Sequence, residues 1–177
     1  PLRASTSRFP DNPDAPQTAI SAIGQFDVRA TALQMAMVAA GIGNNGIVME
    51  PYLVQELRGP DLSILRTTTA SEFGAAMSSQ NAADLIEMMV AVVERGTASV
   101  LRGVTTAEGQ SVRVGAKTGT AQTSADRPSV AWMVALAPAT NPQIAVAVVV
   151  EDGGQNEISS NAIAGPIARA VIEAALR

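Results

Sequence analysis

A single lysine stands among eleven arginines in this chain: Lys117, within Val114-Gly115-Ala116-Lys117-Thr118-Gly119-Thr120-Ala121-Gln122-Thr123. A surface that needs only positive charge can draw on either residue type. A lone lysine followed by Thr-Gly-Thr marks a place that needs a compact ammonium, able to donate hydrogen bonds, hold an anion or release a proton. The small residues after it leave the backbone open to a ligand. The rest of the composition narrows the chemistry by exclusion. With no histidine and no cysteine, the chain cannot build a Ser-His-Asp triad, a cysteine nucleophile, a zinc finger or a His-ligated metal site. Acid–base work falls to carboxylates, lysine, tyrosine or water. No cofactor and no metal is expected.

Two plainer readings compete for Lys117. One is a strand-end lysine that neutralises a nearby carboxylate, the plain reading of a bare Lys-Thr-Gly. It could also belong to a phosphate loop, but that motif needs Gly-Lys-Thr with a further glycine five residues before the Gly, and a helix after it. Ala116 precedes the lysine, no glycine has the spacing, and β-rich sequence follows, so the phosphate loop is set aside.

The 177 residues are enough for one domain with a real core, and an apolar content of 47% argues against disorder. Net charge is -4, and the arginines are scattered singly without interleaved aromatics, which gives nucleic-acid binding little support. The longest apolar stretch, Val130 to Val150, matches a bilayer in length. Pro138, Asn141 and Pro142 divide it into two strand-length pieces, so a membrane helix is not expected.

The elements that must position Lys117 follow from periodicity. Residues 1–19, with four prolines and no apolar period, read as an extended or flexible lead-in, and residues 20–177 as one folded unit. Thr31 is placed to cap a helix reaching about Gly43, with Leu33, Ala36, Met37 and Ala40 as its inward stripe and Asn44-Asn45-Gly46 as its stop. Ile47 to Arg66 reads as a hairpin, with Tyr52, Val54 and Leu57 in the first strand and its turn at Arg58-Gly59-Pro60-Asp61. A second helix spans about Asn81 to Arg95, burying Leu85, Met88, Met89 and Val92 and stopping at Gly96. Residues 97–110 read as a loop. Val112–Thr123, Val130–Ala137 and Ile144–Glu151 read as an antiparallel meander. The last helix, about Ala162 to Leu176, is expected to face Ile163, Ile167, Val171 and Ala174 inward, with Pro166 in its first turns.

The order of several blocks resembles the transpeptidase domain of class B penicillin-binding proteins. Ile23-Gly24-Gln25 and Thr31-Ala32-Leu33-Gln34-Met35-Ala36 are similar to that family's Gly-Gln and Thr-Pro-Leu-Gln-Met-Ala blocks. Lys117-Thr118-Gly119-Thr120-Ala121 matches its third catalytic motif. Ala131 to Pro138 is similar to the strand that follows, and Gly165-Pro166-Ile167 to the start of the final helix. Within the family the chain resembles most the actinobacterial penicillin-binding protein A type. Two positions depart: Phe26 stands where the family usually has glycine, and Ala32 where it usually has proline.

The resemblance implies an α/β fold of the penicillin-recognising serine transpeptidase and β-lactamase type, an antiparallel sheet with helices on both faces, of which this chain is the C-terminal part. It implies a peptidoglycan D,D-transpeptidase that cross-links stem peptides through an acyl-serine and binds β-lactams. It implies a location at the extracytoplasmic face of the bacterial cell membrane, held there by an N-terminal anchor of the parent protein. Lys117 is then expected to hold the substrate carboxylate or relay protons, and Thr118 to bond that carboxylate. Gly119 lets substrate lie along the strand. Thr120 offers its backbone N–H to the oxyanion and its hydroxyl to the carboxylate. Trp132 reads as core. The family also needs a nucleophile in Ser-x-x-Lys and a Ser-x-Asn motif, both ahead of Lys-Thr-Gly. The only lysine is already used, so neither the nucleophile nor its lysine is in this chain. Ser79-Gln80-Asn81 and Ser159-Ser160-Asn161 fit Ser-x-Asn by letter but read as helix caps. The missing motifs are expected on a preceding segment, and the isolated chain is expected to be inactive. A β-lactamase or β-lactam sensor of the same fold, and a non-catalytic interaction fragment, are the alternatives.

Overall fold

Alternation decides the centre of the molecule. In Val130–Ala137 the residues Ala131, Met133, Ala135 and Ala137 are fully buried, while their neighbours on the other face are mostly half-covered. That is the period of two expected of a strand between two unequal layers. In chain order the elements are α1 (Ala15–Ser21), α2 (Ala32–Gly43), β1 (Ile47–Met49), β2 (Glu56–Arg58), β3 (Ile64–Thr67), β4 (Glu72–Ala75), α3 (Ser79–Arg95), β5 (Val104–Thr105), β6 (Ser111–Val112), β7 (Gly115–Ala121), β8 (Val130–Ala137), β9 (Ile144–Val150) and α4 (Ser160–Ala175), with a 3-10 turn at Ser99–Leu101. They come from a computed structural model that describes residues 5–122, 128–151 and 159–177.

β7, β8 and β9 form the expected antiparallel meander, in the order β7-β8-β9. The apolar stretch from Val130 to Val150 is therefore two paired strands and the turn between them. The expected strand end at Thr123 and the first four residues of the lead-in lie outside the described residues. α4 covers one face of the sheet, where Ala164, Ala168 and Ile172 meet Met133, Ala135, Val114 and Ala116 together with Leu101 and Val104. α2 and α3 cover part of the other face through Ile42, Met89 and Val90 against Leu136. Each fully buried large side chain, such as Met133 or Ile172, contributes about 1.5–3 kcal/mol by leaving water. The architecture is the expected one: a mixed helix and antiparallel-sheet domain with helices on both faces.

Several local expectations are corrected. Ala15–Ser21 is helical, because Asp14 and Gln17 close a reciprocal capping box around Pro16. Ile47–Met49 pairs with Glu72–Ala75 and not with the hairpin, which is shorter (β2 with β3) and leaves Tyr52 and Val54 outside any strand. Residues 97–110 contain the 3-10 turn and β5, and β5 pairs with β6. α3 is capped by Ser78, one residue before the Ser79 of the letter motif.

The inward stripes hold in part: Met89 is buried and Leu85, Val92 and Ile163 pack against the core, whereas Ala40 and Ala174 turn outward. Leu33, Met88, Ile167 and Val171 are exposed, and the contacts are made by Ala39, Gly41, Val90, Ala164, Gly165 and Ala168. α4 lies close to the sheet, so small residues take much of its interface, beside Ile172. At Gly165 a Cβ would run into Val100 Cγ1. The displaced Ile167 and Val171 line an open groove with Ala32 along the outer edge of β9. Pro166 is the seventh residue of α4, deeper than the first turns, where its missing N–H leaves the helix one bond short.

Candidate active site

Among the described residues β7 is one of the two edge strands of its sheet, and its side chains divide between two faces. Lys117 and Gly119 project to the face of Trp132, which pairs with Gly119 across β8. Thr118 and Thr120 project to the face of α4. Lys117 is exposed and its Nζ donates to the Thr118 carbonyl at 2.6 Å. Among the described residues no carboxylate pairs with it. The carbonyl of Thr120, two residues on and therefore on the same side of the strand, accepts Gln25 Nε2 at 3.4 Å.

Each threonine hydroxyl has a partner on a neighbouring element. Thr118 Oγ1 lies 2.6 Å from Thr97 Oγ1. Thr120 Oγ1 lies 3.2 Å from Ser160 Oγ, which donates to the Gly119 carbonyl at 2.7 Å. Thr97 follows Gly96, where α3 stops. The segment after it is clamped by Arg169 of α4, which donates to the carbonyls of Val100, Arg102 and Gly103 at 2.8, 2.7 and 2.9 Å. Asn161 adds a second tie, its Oδ1 accepting from Val100 N at 3.1 Å. α4 therefore fixes both partners of the β7 threonines, Thr97 through this clamp and Ser160 directly.

The expectation that Ser159-Ser160-Asn161 caps the last helix is corrected. Ser159 stands at the N-cap, but its side chain makes no capping bond, and Ser160 and Asn161 reach outward to β7 and to the 3-10 turn. Trp132, expected in the core, is half-buried and outside both apolar clusters, because its face of the sheet is only partly covered.

At the far end of β7 the loop 24–29 and residues Ala121, Gln122, Val130 and Glu151 line a cavity of about 790 Å³. Phe26 sits there at φ +65°, more than half exposed. That left-handed backbone favours glycine, which accounts for the glycine the resembled family has at this place. Ala32 is the first residue of α2, the position where proline fits a helix without losing a bond.

The order of these blocks matches the penicillin-binding protein transpeptidase domain over residues 7–173. The chain belongs to that transpeptidase family. It is 45% identical, over its whole length, to the peptidoglycan D,D-transpeptidase PbpA of Mycolicibacterium smegmatis, and 42% identical to the PbpA of Mycobacterium tuberculosis. The transpeptidase segment spans about a third of those curated relatives, 35% of each, at their C-terminal end. It superposes on penicillin-binding protein A from M. tuberculosis, solved as a ceftriaxone acyl-enzyme complex, with a TM-score of 0.89 at 42% identity, covering 99% of this chain and 39% of that one. Penicillin-binding protein 2B from Streptococcus pneumoniae matches with a TM-score of 0.77 at 28% identity, covering 96% of this chain and 28% of that one.

Of the four residues expected to form the site, all lie on one edge strand. Thr97, Gln25 and Ser160 join them, and sequence reasoning did not assign these three to the site. Only Gln25 carried a signal, as part of the Gly-Gln block. Thr97 and Ser160 are distant in sequence and meet β7 only through α3 and α4.

Proposed function

We propose that this chain is the part of a peptidoglycan D,D-transpeptidase that presents the substrate-binding strand, with the nucleophilic serine, its lysine and the Ser-x-Asn motif supplied by a preceding segment of the same protein. The observation that carries the reading is the position of Lys117-Thr118-Gly119-Thr120 on an edge strand whose outer side pairs with no strand among the described residues. A stem peptide adds to that edge as an extra strand. The serine attacks the carbonyl of the penultimate residue, the terminal residue leaves as an amine, and the amine of a neighbouring stem peptide takes the acyl group. β-Lactams acylate the same serine and stop there.

Within this scheme Lys117 supplies the positive charge for the substrate's terminal carboxylate, and its bond to the Thr118 carbonyl opens as that carboxylate arrives. Thr118 can donate to the carboxylate while accepting from Thr97, since each hydroxyl has one proton to give and lone pairs to receive. The backbone N–H of Thr120 faces the developing oxyanion, and losing such a donor costs about 2.7–4 kcal/mol in other hydrolases. The site lies at the extracytoplasmic face of the cell membrane, where the substrate is, with the protein held by an N-terminal anchor ahead of this segment.

The test is labelling by a fluorescent penicillin. The complete protein is expected to give a covalent band, the same protein with Lys117→Ala to label at least 10²-fold more slowly with a melting temperature close to wild type, and the isolated 177-residue chain to stay dark. A stoichiometric band on the isolated chain would place a nucleophile within it. A Lys117→Ala protein that melts far lower yet acylates normally would return the lysine to a structural role.

A further inference from the structure

Buried side chains in this segment are almost all apolar; the buried polar ones among the described residues are Ser21 and Ser160. Ser21 Oγ has no hydrogen-bond partner among them. Ser160 has two, and both lie on β7: the Gly119 carbonyl at 2.7 Å and Thr120 Oγ1 at 3.2 Å. A serine hydroxyl has one proton. With that proton on the Gly119 carbonyl, Thr120 must donate the second bond. The bonds therefore run in one direction, from the Thr120 hydroxyl to Ser160 and from Ser160 to the carbonyl of Gly119.

That carbonyl and the N–H of Thr120 belong to the same planar peptide unit, and in a trans peptide they point in opposite directions. The Thr118 and Thr120 carbonyls turn to the outer edge of β7, so by alternation the Gly119 carbonyl turns toward β8, where Ser160 also reaches it, and the Thr120 N–H faces the outer edge. The Thr120 carbonyl, on the same side of the strand as its own N–H, marks that direction by accepting Gln25 Nε2. A hydrogen bond to a peptide oxygen also polarises the unit and makes its N–H a better donor, and a chain of such bonds adds to the effect. Ser160 is 4% exposed, so its hydroxyl is shielded from water. The role is not capping, since α4 begins after Ser159 and no side chain caps it.

We propose that Ser160 is a positioning residue for the oxyanion donor: it fixes and polarises the Gly119–Thr120 peptide so that the Thr120 N–H is aimed and strengthened before substrate arrives. The inference rests on the reading of Thr120 as that donor.

The test uses the complete protein with Ser160→Ala, Thr120→Val and, as a check on the underlying reading, Lys117→Ala. Two quantities are measured: the rate of acylation by a penicillin, and the infrared stretch of the ester carbonyl in the acyl-enzyme, which falls in frequency as the oxyanion donors bind it. Ser160→Ala is expected to slow acylation roughly tenfold, a fraction of the 10²–10³ that follows complete loss of a donor, and to raise the ester frequency. Thr120→Val keeps the backbone N–H and removes the first donor of the chain, so it is expected to raise the frequency by less; for that variant the band decides. If Ser160→Ala does not fold, Thr120→Val carries the test alone. Slower acylation with an unmoved band would reduce Ser160 to a structural residue and overturn the inference. A wild-type rate and band in Ser160→Ala, with Lys117→Ala inactive, would overturn it while leaving the proposed function standing. Normal acylation in all three variants would remove the proposed function itself.

Discussion

Gly119 sets how closely β7 can approach β8 at the site. A Cβ built on it stands 3.3 Å from the Cβ of Trp132, its cross-strand partner. Ordinary cross-strand Cβ pairs lie about 4.5–5.5 Å apart. Gly119→Ala therefore requires a few tenths of an ångström of give between the strands, and Gly119→Val more, because its two methyls extend over the indole. The sequence argument has a side chain here block the path of a ligand along the edge. The structure points the Cβ at Trp132 instead, so the damage runs through displacement of the adjacent Thr120. Overpacking of this kind costs about 1–3 kcal/mol of stability. A misplacement near 1 Å at a catalytic group costs about 10²-fold in rate. Alanine is expected to slow acylation about tenfold and valine about 10²-fold. The assay is stopped-flow acylation of the complete protein by a fluorescent penicillin, with circular dichroism to confirm the sheet. Gly74→Ala, on an outlying strand with open space around it, is the control that keeps the wild-type rate. Equal rates for Gly, Ala and Val at position 119 would refute the reasoning, since the strand spacing would then not set the position of Thr120.

Arg169→Ala removes a cation that holds three carbonyls and pairs with Glu173 at 2.8 Å. A loss of about 2–3 kcal/mol is expected, read as a lower denaturation midpoint, and an unchanged midpoint would show that the 97–103 segment holds itself. Phe26→Gly is expected to stabilise by up to about 1 kcal/mol, because an L-residue at φ +65° carries a conformational cost that glycine does not. A lower melting temperature in that variant would mean the exposed ring is packed against a part of the protein outside this segment.

Much of the site was legible before any coordinates, for a physical reason. Lys117-Thr118-Gly119-Thr120 is contiguous, and contiguity on a strand fixes alternation, so the division of these residues between two faces follows from the letters alone; the edge position comes from the strand order. The meander was legible because Val- and Ala-rich runs of strand length were separated by Asn141-Pro142. The helix boundaries at Thr31, Gly43 and Gly96 were legible because caps and stops are local chemistry. Failures fell where the signal was short or ambiguous. The helix at Ala15–Ser21 was hidden among prolines although Asp14 and Gln17 announce its cap. Met88 and Ile167 were assigned inward because each helix carries apolar residues around more than half its circumference, and periodicity alone does not say which arc meets the sheet.

The sequence by itself determined what the chemistry can be: one ammonium, threonines and a glycine on a strand, and no histidine, cysteine or in-chain Ser-x-x-Lys to serve as nucleophile. Those statements depend on residue identity and on neighbours a few positions away. Tertiary structure alone decided what surrounds that strand. Thr97 lies 21 residues from Thr118, and Ser160 lies 41 from Gly119; no local rule links such distances. They are joined because α3, through Met89 and Val90, and α4, through Ala164, Gly165 and Ala168, pack on the sheet and bring two hydroxyls against β7. The same close packing turned Ser160 from a helix cap into a partner of the peptide proposed to bind the oxyanion.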